Sequence, residues 1–266
     1  GYFWKEEGLP AFIGLEYVDG TDLHQLRSQS SDGLLAWKDV QSYMIQLCDA
    51  LEYAHSQKVA HRDIKPSNFM INSEGNLKLA DFGIAATLAS SSLSFTSSSV
   101  LGSGTPPYMS PQQLDGKRPH VTDDIYSVGA TFYELLTSKP PFHHGDIAYQ
   151  VRHTEVTPMA ERLKELDLEN DIPEYVSAIV MACLQKDPGK RPQSTRVIRE
   201  WIQSGVEVAQ AEEGAPATAT TKKAPARGSR KKWAYGIAVA VVVVIKAMLV
   251  VLVTLHQQVL HKVIAV

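Results

Sequence analysis

Apolar residues recur every three to four positions between Asp39 and Gln57. Val40, Met44, Leu47, Cys48, Leu51 and Ala54 fall on one face of the helix that this spacing predicts. The same spacing returns over Pro173–Leu184, with Val176, Ile179, Val180 and Cys183 turned inward, and over Val197–Ile202. From Asp123 to about Leu136 the chain reads as a buried helix, closed by Lys139-Pro140-Pro141-Phe142. Residues 146–165 also read as helical. Thr21-Asp22-Leu23 opens a short helix that either Thr21 or Asp22 can cap. Strand signals are fewer. Residues 1–18 predict a strand pair: Tyr2-Phe3-Trp4, a turn at Glu7-Gly8, then the β-prone stretch Ala11–Val18. Phe69-Met70-Ile71 and Leu77-Lys78-Leu79-Ala80 predict two more strands, with Gly75 turning the chain between them.

Two later stretches break these patterns. Residues 205–232 are dominated by Ala, Thr, Gly, Pro and Lys without apolar periodicity, which predicts a flexible linker. Trp233–Leu255 is apolar apart from Lys246, and its length suits a membrane-spanning helix of about 20 residues. Trp233 and Tyr235 fit an interfacial belt. Lys246 would cost roughly 2.5–3.5 kcal/mol at mid-span, which the surrounding Val, Ile and Leu can outweigh. Its pairing in a homodimer stays open. Residues 256–266 form a short tail.

Charge and cysteine content narrow the function classes. A chain of 266 residues has room for one sizeable core or two small ones. Its net charge of −3 gives no global field for nucleic acid, so no nucleic-acid partner is expected. Cys48 and Cys183 both lie in helical apolar patterns, which predicts buried thiols rather than a disulfide framework and suits a reducing compartment. The six basic residues between Lys222 and Lys232 precede the apolar run. They place the preceding region on the cytoplasmic side of a cell membrane, with a single pass. No signal peptide is expected at the start, because Lys5, Glu6 and Glu7 interrupt any apolar core. His143-His144 suggests metal at first sight, but no third ligand is evident, and solvated loop histidines are expected.

Candidate chemistry concentrates in His61-Arg62-Asp63-Ile64-Lys65-Pro66-Ser67-Asn68, followed by Asp81-Phe82-Gly83. An acid, an amine, an amide and a second acid at this spacing, around a predicted strand, suit phosphoryl transfer. That reaction needs positioning and charge neutralisation more than covalent help. The stretch resembles the catalytic and metal-binding loops of protein kinases. The resemblance implies that Asp63 orients the acceptor hydroxyl and takes its proton, and that Lys65 offsets charge at the γ-phosphate. Asn68 and Asp81 would hold Mg2+ against ATP. Asp-x-Lys-Pro-x-Asn is similar to the serine/threonine branch, so protein Ser/Thr hydroxyls are the implied acceptors.

The resemblance extends over residues 1–204. Leu15–Gly20 is similar to the kinase hinge, which implies adenine bonding by backbone near Glu16 and Val18, a gatekeeper at Leu15, and Met70 beneath the base. Residues 84–104 match the activation segment. Thr96 is the first candidate phosphosite, with Ser94 and the Ser97 cluster close behind, and Arg62 is the implied phosphate partner. Gly104–Pro111 resembles the segment that receives a peptide, where Thr105 would bond Asp63 and Lys65. Asp124 would hold the catalytic-loop backbone; as a bare sequence feature it is a helix-start acid. One departure stands out: Gln112 occupies the place of a glutamate that normally pairs with the residue matched by Arg191. A buried arginine without its carboxylate costs about 3–5 kcal/mol if nothing else compensates.

The implied fold is an α+β protein-kinase-like one. Residues 1–18 form a small-lobe remnant and hinge, and 19–204 a mostly helical large lobe. The linker 205–232, the span 233–255 and the tail follow. No G-x-G-x-x-G and no Val-Ala-x-Lys occurs before residue 18, so the reading is of an amino-terminally truncated kinase of the bacterial membrane-anchored serine/threonine type. The alternative is a non-catalytic, membrane-tethered scaffold that binds protein partners. A small-molecule phosphotransferase is disfavoured by Lys65 and the segment 104–111.

Overall fold

A computed structural model describes residues 2–4, 12–14, 16–81 and 104–213, all within the unit Gly1–Ala215. Leu15, Phe82, Gly83, the serine-rich segment with Thr96, most of the predicted linker and the predicted span lie outside the described residues. Among the described residues no helix is long and apolar enough to cross a membrane.

The chain opens with strands β1 (Tyr2–Trp4) and β2 (Phe12–Gly14), paired antiparallel with Phe3 opposite Ile13. The expected second strand thus ends at Gly14, short of Val18. A second, three-stranded antiparallel sheet follows, in the order β3 (Gly20–Asp22), β4 (Phe69–Asn72), β5 (Leu77–Leu79). Thr21 pairs with Ile71, and Ile71 with Leu77. The pattern gave no warning of β3, since glycine and aspartate are poor strand formers. Gly20 is there for space: a Cβ on it would lie 1.9 Å from the Ile71 carbonyl oxygen. Asp22 ends β3 and caps helix α1 (Leu23–Ser28), accepting from the Gln25 amide at 2.8 Å.

Helix α2 (Trp37–Ser56) buries all six residues of the predicted stripe, with Trp37 added. A short helix α3 (Pro111–Leu114) precedes α4 (Val121–Thr137), in which every residue after Val121 is buried. A helix buried all round belongs at the centre of a core, and α4 packs against α2 and against α6 (Met159–Glu165) and α7 (Glu174–Cys183). The predicted helical stretch 146–165 is two helices, α5 (Ile147–His153) and α6. Pro158 disfavours helical backbone at Thr157, which explains the break. Helix α8 (Thr195–Glu213) lies along α2 and α7 and runs past the boundary drawn at residue 204. Residues 206–213 are rich in Glu, Ala and Gln, good helix formers, so local propensity carries the helix into the stretch read as linker.

The Arg191 corner differs from its expectation. Arg191 is 3% exposed, yet it keeps four hydrogen bonds: Nε to the Gln185 carbonyl, Nη1 to Thr122, and Nη2 to both Lys186 and Gln112 Oε1. Gln112 Nε2 also donates to Lys186. Three backbone carbonyls and one amide oxygen replace the missing carboxylate, so no buried donor set is stranded there. A smaller correction concerns the expected solvated histidines: His143 is half-buried, with burial pushing its pKa down, while His144 is exposed.

Candidate active site

The turn between α2 and β4 carries the acid, the amine and the amide. Pro66 starts a 3₁₀ turn over Pro66–Asn68, where its fixed φ suits a first helical position, and Asn68 is buried at its end. Asn68 Nδ2 reaches back to the Asp63 carbonyl oxygen at 2.7 Å and to Asp63 Oδ2 at 3.2 Å. Lys65 Nζ sits 2.7 Å from the same Oδ2, and both side chains are about a quarter exposed. Thr105 closes the group: its hydroxyl donates to Asp63 Oδ1 at 3.1 Å and accepts from Lys65 Nζ at 2.9 Å. A hydroxyl proton therefore lies within direct reach of the Asp63 carboxylate.

Asp81 is brought alongside by its neighbour. The Ala80 amide donates to the Asn68 carbonyl at 2.9 Å, and the Ala80 carbonyl meets His61 Nε2 at 3.0 Å. Asp81 itself is exposed, with φ +53°. Burial holds the His61 pKa below its usual value, although the charges of Asp124, Asp63 and Asp81 act the other way. Beneath the loop, Asp124 projects from the first turn of α4 with its carboxylate fully buried. It accepts from the amides of His61 and Arg62, both at 2.8 Å, and pairs with His55 Nε2 at 2.7 Å. His55 was missed as a site residue because it reads as an ordinary helix-end histidine. The adjacent Asp123 turns elsewhere: it closes the capping box with His120 and accepts from Ser110 at 2.6 Å.

Other predicted residues are placed less closely. Glu16 is exposed and lies 3.4 Å from Lys78. Val18 and Met70 are both half-buried, Met70 on the face of β4 opposite the buried Phe69 and Ile71. Arg62 is buried with φ +69°, and among the described residues its guanidinium makes no hydrogen bond or ion pair. The donor set fits a hard cation. Asn68 Oδ1 and the Asp81 carboxylate accept no hydrogen bond among the described residues, and oxygen ligands of this kind suit magnesium.

A carboxylate within reach of a hydroxyl, an ammonium beside it, and an amide and a second carboxylate as oxygen donors at the foot of a helical scaffold define a site of the phosphotransferase type found in protein kinases. The chain belongs to that family: residues 3–202 match the protein kinase domain. A protein named as a probable serine/threonine-protein kinase of Corynebacterium efficiens is 36% identical over 186 residues, covering 69% of this chain and 27% of its own length. A similarly named protein of Streptomyces coelicolor is 37% identical over 195 residues, covering 73% and 28%. The serine/threonine-protein kinase PknB of Mycolicibacterium smegmatis is 35% identical over 192 residues, covering 71% and 29%. The chain thus spans a little over a quarter of the length of these curated relatives. The fold is similar to the Mycobacterium tuberculosis PknI kinase domain, with a TM-score of 0.53 at 21% identity, covering 72% of this chain and 64% of that one.

Proposed function

We propose that this chain is the catalytic part of a protein serine/threonine kinase, using Mg-ATP. The observation that carries the reading is Thr105 held between Asp63 and Lys65. It places a hydroxyl on the carboxylate with an ammonium alongside. Asp63 orients the acceptor hydroxyl of a protein Ser or Thr and takes its proton as the new bond forms. Lys65 brings positive charge to the side where phosphoryl oxygens gather. Asn68 and Asp81 are the residues that would hold magnesium; Mg-ATP, when bound, supplies the phosphoryl group and the charge that bridges its phosphates. The backbone near Glu16 and Val18, with Met70, forms the adenine side. Arg62, buried and with a guanidinium that has no partner among the described residues, takes up a phosphate on the segment 84–104, first at Thr96. Residues 233–255 anchor the protein in a cell membrane, and the basic run 222–232 keeps the kinase region cytoplasmic.

The test is transfer of labelled γ-phosphate from Mg-ATP to the chain itself and to dephosphorylated casein, with Asp63→Asn as control. Label on Ser or Thr, lost in the variant, is expected. A folded chain that neither transfers phosphate nor binds Mg-ATP would overturn the reading in favour of a scaffold.

A further inference from the structure

The Arg62 carbonyl oxygen is a meeting point that the chemistry above leaves unexplained. Gln113, buried on α3, donates from Nε2 to this oxygen at 2.6 Å. Gly104 reaches the same place from the other end of the segment: a Cβ on it would lie 3.3 Å from the Arg62 carbonyl, 3.3 Å from Gln113 Nε2 and 2.6 Å from Met109 Cε. With φ +129°, Gly104 also holds a conformation that residues with a Cβ avoid. Residues 104–113 therefore form a loop whose two ends close on one peptide group. Inside it, Thr105 touches Asp63 and Lys65.

Arg62 needs holding. Its φ of +69° is uncommon for a residue with a long side chain, and such a conformation persists only where the surroundings over-determine it. Asp124 grips the Arg62 amide at 2.8 Å, and Gln113 grips its carbonyl. The peptide group that Gln113 holds is the one leading into Asp63. No sequence signal marks Gln113, which reads as the second of two glutamines at a helix start. Among the described residues its Oε1 has no partner, and the hydrogen bond that its side chain makes there is the one it donates.

Resting on the kinase reading, we infer that Gln113 is a positioning residue for phosphoryl transfer: by fixing the Arg62 carbonyl it locks the end of the substrate segment to the catalytic loop and sets the aim of Asp63. Small displacements of a reacting group cost up to about a hundredfold in rate. Gln113→Met keeps the length of the side chain and removes the donor. It should lower kcat by about tenfold or more, with KM for Mg-ATP and casein unchanged within about twofold. Gln113→Glu adds a distinctive signature. A buried carboxyl has a raised pKa, and its protonated form can donate to the Arg62 oxygen where the ionised form cannot. The kcat of Gln113→Glu relative to the parent chain should rise as pH falls from 8 to 6, and Gln113→Met should show no such recovery.

Both variants keeping kcat within about twofold of the parent would overturn the inference. So would a loss in both that tracks lowered thermal stability and shows no pH recovery, since that is the mark of a packing role. If the parent chain transfers no phosphate, the kinase reading fails by itself. Amide exchange at Asp63 then decides this inference separately: faster exchange in Gln113→Met supports it, and unchanged exchange overturns it.

Discussion

Asp124→Asn is the most informative single change in this scaffold. The carboxylate is 0% exposed and accepts three hydrogen bonds: two from the successive amides of His61 and Arg62, and one from His55. Asparagine has the same shape but a single acceptor oxygen. Placed to keep one amide, it turns its own NH2 toward the other amide N–H. With its oxygen in the place of Oδ2 it keeps His61 and His55, and only the Arg62 amide, which bonds Oδ1, loses its charged acceptor. One such bond is worth about 1.5–3 kcal/mol, so the change should cost about that much. For a domain of this size each kcal/mol shifts Tm by about 2–4 °C, which puts the fall at about 3–12 °C by calorimetry. Amide exchange locates the damage: Arg62 should lose protection while the centre of α4 keeps it. A folded variant melting within about 2 °C of the parent, with the Arg62 amide still protected, would refute the claim that this carboxylate holds the loop.

Three further outcomes follow from the packing. Gly129→Ala gains about 0.8–1 kcal/mol of helix propensity. The new Cβ would nevertheless lie 2.7 Å from Cys183 Cβ and 3.1 Å from Leu184 Cγ where α4 meets α7, and overpacking of about 1–3 kcal/mol makes the variant less stable in urea; a more stable variant would count against this contact. The thiols of Cys48 and Cys183 are buried, and burial raises both pKa values, that of Cys183 to about 12, so neither should react with a disulfide reagent before unfolding, and rapid labelling of the native chain would contradict the burial. Burial holds the folded pKa of His61 below the ordinary histidine value of about 6.5, so its contribution to stability is fully present above that pH and is lost as pH falls through the lower folded value; an imidazole NMR titration at or above 6.5 would show the burial argument to be wrong.

The pattern of apolar positions made the helices legible because burial wrote it: every residue of the predicted α2 stripe is in the core. What escaped was set by tertiary structure. The strand β3 exists because β4 is there to pair with, and Gly20 is needed only for the closeness of Ile71. Asp123 and Asp124 are chemically identical on the page. Their positions are about 100° apart around the helix, so one caps α4 while the other faces the loop; the residue types alone do not say which, and it was the kinase resemblance that picked Asp124. Gln112 shows the opposite error. A family pattern suggested a stranded arginine, but backbone carbonyls, which sequence reading does not count as partners, take three of its four hydrogen bonds.

The same reasoning explains why so polar a loop sits on so apolar a helix. Arg62 and Asp81 both have positive φ, a conformation that costs about 1–3 kcal/mol for each residue with a side chain. Neither lies in a helix or a strand, and the short turn over Pro66–Asn68 makes few backbone bonds of its own. The loop is therefore held from outside: by Asp124 at the Arg62 amide, by Gln113 at its carbonyl, and by Asn68 and His61 on Ala80 just before Asp81. Asp124 and Gln113 project from helices whose own positions are fixed by burial, so part of the stability of the core is used to hold strain at the site. Changes deep in α4 should then act at Asp63 before they unfold the domain, because the strained residues are the first to relax when their supports shift.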